Sequence, residues 1–512
     1  MSRREVRLAA LLQAAGLPAS PSDAVVTEVT CDSRSCGPGS LFVAVPGFHV
    51  DGHDYAAAAV ARGAVAVVSE RPLDTGSVLD IVVPNSRVAL AALACAFFDN
   101  PSREMLVAGV TGTDGKTTTT TMLWSAWRAG GLRAASLTTV DWRTGDDVVA
   151  NESRQTTLEA PELQRHLASL RDTGVSHVAL ETSSHALELH RVDGVAYRVA
   201  VYTRITSEHL ELHGSRDAYL AAKRRLVEMV SGRSDGVAVL DATDDFGYPS
   251  LAAVPVAQRI TYSIDPAVGA DLTADAVRAE PGGIRFAATT PWGGAEVQLK
   301  LGGRFNVANA LAAMAAACAT GVTLEQAASG VAALQRVPGR MESVDLGQPF
   351  SVVVDYAHTA ESLATVLREL RPATTGRLIA VFGSAGERDR EKRPAMGAAA
   401  AVLADITIIT DEDPRDEDRE RILEEIAAGA TDAGGRRGEN VVVVPDRRQA
   451  IDFAVRHART GDTVVFAGKG HEGSIITAAG AEPWDERAIV ETAIARLWPS
   501  VSGHGAHPER RR

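Results

Sequence analysis

The chain has 512 residues, of which 45% are hydrophobic and 23% charged, and its formal net charge is −13. It is too long for one hydrophobic core, no apolar run is long enough to cross a bilayer, and the acidic balance argues against a nucleic-acid-binding surface. The four cysteines fit no common zinc-ligand spacing, and so few in so long a chain indicate a reducing, cytoplasmic environment.

Residues 1–102 alternate short apolar runs with polar turns, which predicts a compact N-terminal α/β domain. Ser33 lies in one of these turns, where binding groups often sit, although an isolated serine is more commonly a turn or cap residue. Asn100, Pro101 and Ser102 form the predicted linker to the next domain.

The stretch 106–122 is the most informative, because an apolar run leads into a glycine turn and a row of threonines. This order predicts a buried strand, a phosphate-binding loop and the start of a helix. The usual first glycine of such a loop is replaced by Val110, so the loop is a shorter variant. A glycine turn with a chance lysine would not explain the strand, the helix and the Lys-Thr pair together. We therefore predict an ATP site formed by Gly112, Thr113, Asp114, Gly115, Lys116, Thr117 and Thr118.

Within this loop Lys116 would contact the β- and γ-phosphates, and Thr117 would bind a magnesium ion. Strands and helices alternate through residues 103–337, which indicates a central domain with a mostly parallel sheet. Glu181 ends an apolar strand and is well placed to hold magnesium, although a carboxylate there could instead cap a helix.

Three further positions in the central domain are ambiguous from the sequence alone. His209 and His213 are four residues apart, which could place both on one face of a helix. Lys223, on a predicted helix, would ordinarily be a solvated surface lysine. Asn306 begins an alanine-rich helix, where its amide could cap the helix or contact a base or ribose.

Residues 338–498 repeat the alternation and predict a second doubly wound domain, this time without a phosphate-loop lysine. Residues 411–418 form an acidic loop. The segment 499–512 is polar and ends in three arginines, so we expect it to be disordered.

A series of short motifs resembles the Mur ligase family of peptidoglycan synthesis, in order and spacing, over nearly all of the chain to residue 498. The motifs are DSR at 32–34, PGSLFVAVPG at 38–47, DGH at 51–53, TGTDGKTTT at 111–119, ETSSHAL at 181–187, HLELHG at 209–214, LGGRFNVANALAA at 301–313, VPGRME at 337–342, DYAHT at 355–359, GERDREKRPAMG at 386–397, DPR at 413–415 and AGKGHE at 467–472. The resemblance implies a three-domain α/β fold: a central doubly wound parallel sheet with the ATP site, an N-terminal UDP-sugar domain and a C-terminal Rossmann-like domain.

The resemblance also implies roles for single residues. Lys116, Lys223 and His209 would be catalytic, and Lys223 would carry a carbamate derived from CO₂. The magnesium ligands would be Thr117, Glu181, His209 and Lys223. Further nucleotide contacts would come from Asn306, Arg340 and Asp355. Contacts to the UDP-sugar dipeptide would come from Ser33, Thr156, Thr157, Ser184 and Arg191, with Leu189 standing where the family often has glutamine. Contacts to the incoming amino acid would come from Asp413, Arg415, Gly468 and Glu472.

The implied reaction is phosphorylation of a carboxylate by ATP, followed by attack of an amine on the acyl phosphate. The implied substrates are UDP-N-acetylmuramoyl-L-Ala-D-Glu and a diamino acid, and the implied enzyme is a cytoplasmic monomer. Family members that use meso-diaminopimelate typically have asparagine at the position of Asp413, whose charge here favours the ammonium of L-lysine or L-ornithine. Arg415 remains to pair with a substrate carboxylate or with a protein acid such as Asp411 or Asp416, so meso-diaminopimelate stays an alternative.

Two rival interpretations remain at this stage. A sister ligase such as folylpolyglutamate synthase shares the domain plan, but the N-terminal motifs favour a UDP-sugar substrate. The second rival interpretation is an inactive P-loop scaffold. The presence of Lys116, Glu181, His209 and Lys223 together argues against it.

Overall fold

The computed structural model describes residues 4–19, 22, 24–47, 50–153, 155–206, 208–280 and 283–498. The segment 499–512, predicted to be disordered, lies outside the described residues. The chain forms two compact units, the first made of residues 1–275, 287–297 and 308–333, the second of 276–286, 298–307 and 334–512. The predicted α/β class with parallel sheets is confirmed. The domain limits at 102 and 337 stay predictions, because residue 102 lies inside the first compact unit.

The N-terminal region of the first unit contains a small parallel sheet. Its elements are β1 Val6–Arg7, α1 Leu8–Ala14, β2 Val25–Val26, β3 Glu28–Thr30, β4 Ser40–Val43, α2 Ala56–Ala61, β5 Ala64–Ser69, β6 Leu79–Val82 and α3 Ser86–Phe97. Four strands pair in the order β3-β4-β5-β6, all parallel. Leu11, Leu41, Val68 and Leu93 belong to one buried apolar cluster, so α1 and α3 pack on this sheet.

The predicted linker is a packed segment. Pro101 and Ser102 are buried in a short 3-10 turn, and Ser102 Oγ accepts a hydrogen bond from the Ala196 N–H at 3.0 Å. Two residues of the connection between the first sheet and the second are therefore packed inside the protein, whereas Arg103 and Glu104, which follow them, are exposed.

The central sheet carries the phosphate loop. Its region comprises β7 Leu106–Thr111, α4 Lys116–Ala129, β8 Ala134–Leu137, β9 Asp141–Thr144, β10 Asp147–Ala150, α5 Ala160–Asp172, β11 His177–Glu181, α6 Ser184–Glu188, β12 Tyr197–Tyr202, α7 Leu210–His213, α8 Arg216–Ser231, β13 Val237–Asp241, α9 Tyr248–Ala252, β14 Gln258–Ser263, β15 Leu272–Glu280, β16 Gly283–Thr290, β17 Gly293–Leu299, α10 Arg304–Ala319 and α11 Leu324–Ala333. The strand order is β10-β9-β8-β11-β7-β12-β13-β14-β15-β16-β17. Because β11, β7 and β12 are parallel neighbours, their carboxyl ends share one edge.

The second unit is built on a six-stranded sheet. Its elements are β18 Glu342–Ser343, β19 Ser351–Val354, α12 Ala360–Leu370, β20 Leu378–Phe382, α13 Lys392–Leu403, β21 Ile406–Ile409, α14 Arg419–Asp432, β22 Val441–Val443, α15 Arg447–His457, β23 Thr463–Phe466, β24 Ser474–Thr477, β25 Gly480–Pro483 and α16 Glu486–Leu497. The order is β18-β19-β23-β20-β21-β22, and all pairs except β18-β19 are parallel.

The alternating side chains of β20 show why this sheet is covered on both faces. Leu378 and Phe382 belong to one buried cluster, together with residues of α12, α13 and α14. Ile379 and Val381 belong to another, with residues of α15 and α16. A strand that is apolar on both faces is typical of a doubly wound sheet. Among the described residues, no helix combines the length and the hydropathy that crossing a bilayer requires.

Candidate active site

The phosphate loop lies between β7 and α4, and two glycines allow its backbone to turn there. Gly115 has a φ of +83°, a left-handed conformation that favours glycine. A Cβ on Gly112 would lie 1.7 Å from Thr203 Oγ1, so any other residue would clash. Thr203 Oγ1 also donates a hydrogen bond to the Asp114 carbonyl at 2.6 Å. The loop is thus fixed against the end of β12, and α4 begins at Lys116 with its positive end at the loop.

Two lysines converge on this loop. Lys116 Nζ donates to the carbonyls of Gly112 at 3.2 Å and Thr113 at 2.7 Å. Lys223 Nζ, from α8, donates to the same Gly112 carbonyl at 2.6 Å. Lys223 is only 1% exposed, so the expectation of an ordinary surface lysine is wrong. Burial, and then the nearby charge of Lys116, hold the pKa of Lys223 well below its ordinary value.

The predicted magnesium ligands Thr117 and Glu181 are in direct contact. Thr117 Oγ1 lies 3.1 Å and 3.0 Å from the two carboxylate oxygens of Glu181. Glu181 also accepts hydrogen bonds from the N–H and the hydroxyl of Thr139 at 2.9 Å and 3.0 Å. The register that pairs Glu181 with Val110 brings the end of β11 to the loop. A hydroxyl next to a carboxylate is a donor set of hard oxygens, which fits Mg²⁺.

His209 belongs to a group of three imidazoles. Its ring centroid lies 4.4 Å from that of His185, which in turn lies 6.1 Å from that of His213. His209 precedes the short helix α7 with a φ of +56°, and His213 ends that helix. Burial, followed by the other two histidines, lowers the pKa of His185 to about 4. A neutral imidazole can act as a metal ligand.

The residues predicted to contact the UDP-sugar dipeptide gather mainly at the end of β11. Thr157 Oγ1 donates to the Glu181 carbonyl at 2.8 Å and accepts from the Ser183 N–H at 3.1 Å. Arg191 donates to the Thr157 carbonyl at 3.2 Å and pairs with Glu159 at 2.7 Å. Ser184 is the first residue of α6, and Thr156 directly precedes Thr157.

Ser33 lies in the turn after β3, where Asp32 accepts hydrogen bonds from Arg34. Burial raises the pKa of Cys31, which precedes this turn, and the negative charge of Glu159 raises it further. Because Glu159 also pairs with Arg191, the turn and the predicted dipeptide contacts interact with the same carboxylate. Arg87, which the sequence did not single out, is coupled to both Glu159 and Arg191; burial is the main cause of its lowered pKa. Arginines in this region suit an anionic substrate.

The remaining nucleotide residues belong to the second unit. Asp355 accepts backbone N–H groups on both oxygens, from Met341 at 2.7 Å and from Ala357 at 2.8 Å. The Arg340 guanidinium stacks 4.6 Å from the centroid of the Tyr356 ring. Asn306 is buried on α10 and donates to the Gly302 carbonyl at 2.6 Å. The second unit therefore holds Asn306, Arg340 and Asp355 in ordered positions.

Asp413 is tied into the protein by a buried lysine. Lys469 Nζ lies 2.8 Å from Asp413 Oδ1 and 2.6 Å from Glu472 Oε2. The same Asp413 oxygen accepts the Ile476 N–H at 2.9 Å. Contrary to the expectation from the sequence, the Asp413 carboxylate is therefore not a free charge waiting for a substrate ammonium, because Lys469 already compensates it.

Glu412 and Arg415 complete what we call the amino-acid cluster, namely Glu412, Asp413, Arg415, Lys469 and Glu472. Glu412 is 7% exposed, and its Oε2 has no hydrogen-bond partner among the residues the structure describes. The same holds for Arg415 Nε, within the described part of the chain. A Cβ on Gly468 would lie 3.4 Å from Glu412 Oε2, so glycine keeps the space beside this oxygen open.

Sequence reasoning missed His185, Arg87 and Lys469 as neighbours of the predicted site. His185 and Lys469 stand inside the motifs ETSSHAL and AGKGHE, each of which follows a buried strand. That position is a usable signal, because residues just past the carboxyl ends of parallel strands meet at one edge. Arg87 stands near the start of α3, and no local pattern marks it.

Comparisons with known proteins cover most of the chain. A model of the Mur ligase family catalytic domain matches residues 25–98, the Mur ligase middle domain matches 110–317, and the Mur ligase glutamate ligase domain matches 339–470. A UDP-N-acetylmuramyl-tripeptide synthetase from Roseiflexus is 48% identical and covers 93% of this chain and 96% of its own length. A UDP-N-acetylmuramoyl-L-alanyl-D-glutamate–2,6-diaminopimelate ligase from Geobacillus thermodenitrificans is 42% identical, covering 92% and 95%.

Solved structures give the same result. A UDP-N-acetylmuramoyl-L-alanyl-D-glutamate–2,6-diaminopimelate ligase superposes with a TM-score of 0.66 at 30% identity, covering 95% of this chain and 99% of the other. The MurF ligase of Thermotoga maritima, in complex with ADP, has a TM-score of 0.61 at 19% identity, covers 92% and 96%, and shows the fold alone. Identity of 48% over nearly the full length, with three matching domains, establishes that this chain belongs to the Mur ligase family.

Proposed function

We propose that this protein is an ATP-dependent ligase that adds a diamino acid to UDP-N-acetylmuramoyl-L-Ala-D-Glu during peptidoglycan synthesis. The observation that carries the proposal is the convergence of Lys116 and Lys223 on the Gly112 carbonyl, beside the Thr117–Glu181 pair. The names of the relatives from Roseiflexus and Geobacillus supply the UDP-linked substrate.

The phosphate loop supports ATP as the energy source. The Lys116 ammonium and a helix N-terminus at one place form a positive site, which suits a triphosphate. Lys116 is the loop lysine and would lie against the β- and γ-phosphates. Gly112, Thr113, Asp114, Gly115, Thr117 and Thr118 supply the surrounding backbone and hydroxyl groups, and Asn306, Arg340 and Asp355 are proposed as further nucleotide contacts.

The proposed reaction has two steps. A substrate carboxylate oxygen bonds to the γ-phosphorus, and ADP leaves; the amine of the diamino acid then attacks the acyl carbon. The bond between the acyl carbon and the phosphate oxygen breaks, and inorganic phosphate leaves. The amine loses a proton, and an amide forms. Lys116 would stabilise the charge that develops on the phosphoryl oxygens, and alignment of the reactants supplies much of the remaining rate enhancement.

The residues at the edge of the central sheet fit magnesium. Thr117 and Glu181 would hold one ion, and His209 and Lys223 would help hold a second. Bound Mg²⁺ supplies charge neutralisation on the phosphate oxygens. The depressed pKa of Lys223 favours the neutral amine that reacts with CO₂, which supports the proposal that Lys223 carries a carbamate. That modification would convert a buried amine into a negatively charged carbamate.

The dipeptide end of the UDP-sugar substrate is assigned to the residues at the end of β11. Thr157, Ser184 and Arg191 lie around Glu181, so a carboxylate held there would be near the phosphate loop. We assign Ser33 and Thr156 to the same substrate. Leu189 offers no side-chain hydrogen bond, and we assign Arg87, which interacts with Glu159 and Arg191, as a further cation for this substrate.

The third amino acid is assigned from the charges of the amino-acid cluster. Lys469 pairs with Asp413 and Glu472, and Glu412 adds a further negative charge near Glu472, so these four side chains together carry a net negative charge. Arg415 can take the α-carboxylate, Glu472 is assigned to the ammonium end, and Gly468, beside Glu412, is assigned to the same substrate. A second substrate carboxylate would add charge to an acidic site. The cluster therefore favours L-lysine or L-ornithine over meso-diaminopimelate, the substrate in the names of several relatives.

Phosphate release with omission of single substrates tests the proposal. We expect release only when ATP, magnesium, UDP-N-acetylmuramoyl-L-Ala-D-Glu and a diamino acid are all present. Release without the UDP-sugar, or with a folate in its place, would indicate a sister ligase. The absence of phosphate release with every amino acid would indicate an inactive scaffold and overturn the proposal.

Three further expectations belong with this function. The proposed domains are 1–102, 103–337 and 338–498, and the three family matches fall inside these limits. All four cysteines are unpaired, which suits a reducing cytoplasm. We propose a monomer, and sedimentation analysis tests this directly.

A further inference from the structure

We propose that Lys469 is a positioning residue of the amino-acid site, which holds Glu472 in place for the ammonium group of the incoming diamino acid. The inference rests on the proposed function, because it concerns how that reaction selects its amine substrate.

Lys469 has the surroundings of a fixed internal cation. Its side chain is 0% exposed, although lysine is almost never fully buried unless it is paired. Its ammonium spans two carboxylates, 2.8 Å from Asp413 Oδ1 and 2.6 Å from Glu472 Oε2. These distances are those of charge-assisted hydrogen bonds, so the four-carbon side chain is held in one geometry.

The two carboxylates differ in what else they contact. Asp413 Oδ1 also accepts the Ile476 N–H at 2.9 Å, which ties Asp413 to the backbone of β24. Glu472 is one-third exposed at its side chain, and its second oxygen, Oε1, accepts a hydrogen bond from the Tyr356 hydroxyl at 3.3 Å. Asp413 is therefore an anchor, whereas Glu472 is oriented by Lys469 on one side and by Tyr356 on the other.

An oriented carboxylate is a good receptor for an ammonium group. A carboxylate can accept about four hydrogen bonds, and Glu472 uses one at each oxygen in these contacts. The remaining acceptor positions are fixed in space before the substrate arrives, which lowers the entropic cost of binding. Without Lys469, Glu412, Asp413 and Glu472 would have to share a partly buried site, where like charges favour protonation and the loss of this receptor.

The test asks whether Lys469 positions Glu472 or only neutralises the charge of Asp413. Lys469→Met alone leaves Asp413 buried without its cation and can fail to fold, so the decisive variant is Lys469→Met combined with Asp413→Asn, which removes both charges. We expect this double variant to fold and its KM for the diamino acid to rise at least about tenfold, the factor for losing one hydrogen bond to a charged group. The KM values for ATP and the UDP-sugar should stay unchanged, and kcat should fall by less than KM rises.

A matched pair at the other end of the same sheet serves as the control. Arg377 and Asp462 precede β20 and β23 and pair at 2.6 Å, at the amino ends of these strands. Arg377→Met combined with Asp462→Asn should leave the KM for the diamino acid unchanged. A wild-type KM in the Lys469→Met, Asp413→Asn variant would overturn the inference, because Lys469 would then only neutralise Asp413. Absence of tripeptide formation by the wild-type enzyme would instead overturn the proposed function.

Discussion

The carboxyl edges of the central and C-terminal sheets are built in the same way but carry different ionisable side chains. Both collect the residues that follow parallel strands. At the central sheet, Lys116 and Lys223 meet at one carbonyl. At the C-terminal sheet, Glu412, Asp413 and Glu472 surround Lys469. The fold supplies the location in each case, and the side chains decide that one edge suits phosphates and the other an ammonium group.

Burial acts on both edges, with different consequences. It lowers the pKa of Lys223 and raises the pKa of Glu472, so in each case it favours the neutral form. For Lys223 the neutral amine is the form that reacts with CO₂. For Glu472 the neutral acid would be a poor receptor, and the charge of Lys469 opposes that change. At the acidic edge, the ion pair with Lys469 helps to keep Glu472 charged. At Lys223, an ion pair would favour the charged ammonium, which does not react with CO₂.

The largest expected effect is at the cationic edge. Lys116→Met removes a full charge from the site of phosphoryl transfer, and we expect kcat to fall by about a hundredfold to a thousandfold. Steady-state phosphate release measures this. Lys300→Met is the control, since Lys300 is exposed and lies 2.9 Å from the Gln335 side chain. Equal activity of the two variants would contradict the assignment of the phosphate loop.

Lys223→Gln should lower turnover by about a hundredfold, because an amide cannot form the carbamate proposed to support the second magnesium. Nuclear magnetic resonance with ¹³C-labelled bicarbonate should show a carbamate signal in the wild-type protein and none in this variant. Full wild-type activity with no such signal would contradict the proposed modification.

A smaller effect is expected from Asp413→Asn. Lys469 keeps its bond to Glu472, so the KM for the diamino acid should rise by only about twofold to threefold, less than when Lys469 is also replaced. Burial is the main cause of the raised pKa of Glu472, Lys469 lowers it, and Glu412 and Asp413 raise it.

The pH profile sharpens this prediction. Glu472 must be ionised to accept an ammonium, so kcat/KM for the diamino acid should decline on the acid side with a pKa above that of an ordinary glutamate. Removing the negative charge of Asp413 should move this decline to lower pH. A shift to higher pH, or none, would show that Glu472 is not the receptor.

The smallest effect on activity is expected from Arg377→Met, which acts on stability alone. Burial opposes ionisation of Asp462, but hydrogen bonds from Arg377 and Arg459 outweigh it and lower the pKa of Asp462. Its stabilising contribution is therefore present above the unfolded pKa and lost as the pH falls through the folded one. Removing Arg377 should cost about 3 kcal/mol of unfolding free energy at pH 7, measured by urea denaturation, with unchanged kinetic constants. A raised KM for the diamino acid would contradict the assignment of the amino end of this sheet to stability and of its carboxyl end to substrate binding.

The sequence predicted the parallel sheets and the phosphate loop because both depend on local signals. A strand such as β20 is a continuous apolar run, and Gly112, Gly115, Lys116 and Thr117 stand within a few residues of one another. The contact of Thr117 with Glu181 was also foreseeable, since parallel neighbours end at the same edge.

Other features depend on packing between distant segments. The burial of Lys223 follows from the way α8 covers the loop, and residues 276–286 and 298–307 fold with the second unit instead of the first. The partner of Asp413 stands 56 residues away at Lys469, so no local pattern predicts that its charge is compensated. The role of Asp413 in the amino-acid site therefore stays a prediction, whereas its charge is compensated within the protein.

The most direct test of the account is a competition experiment that identifies the product by mass. The enzyme receives ATP, magnesium and UDP-N-acetylmuramoyl-L-Ala-D-Glu with equal concentrations of L-lysine, L-ornithine and meso-diaminopimelate. The acidic edge of the C-terminal sheet predicts that the UDP-linked product carries a lysine or ornithine residue. A product that carries diaminopimelate would contradict this, because Arg415 and a second substrate carboxylate would then outweigh the net charge of the amino-acid cluster.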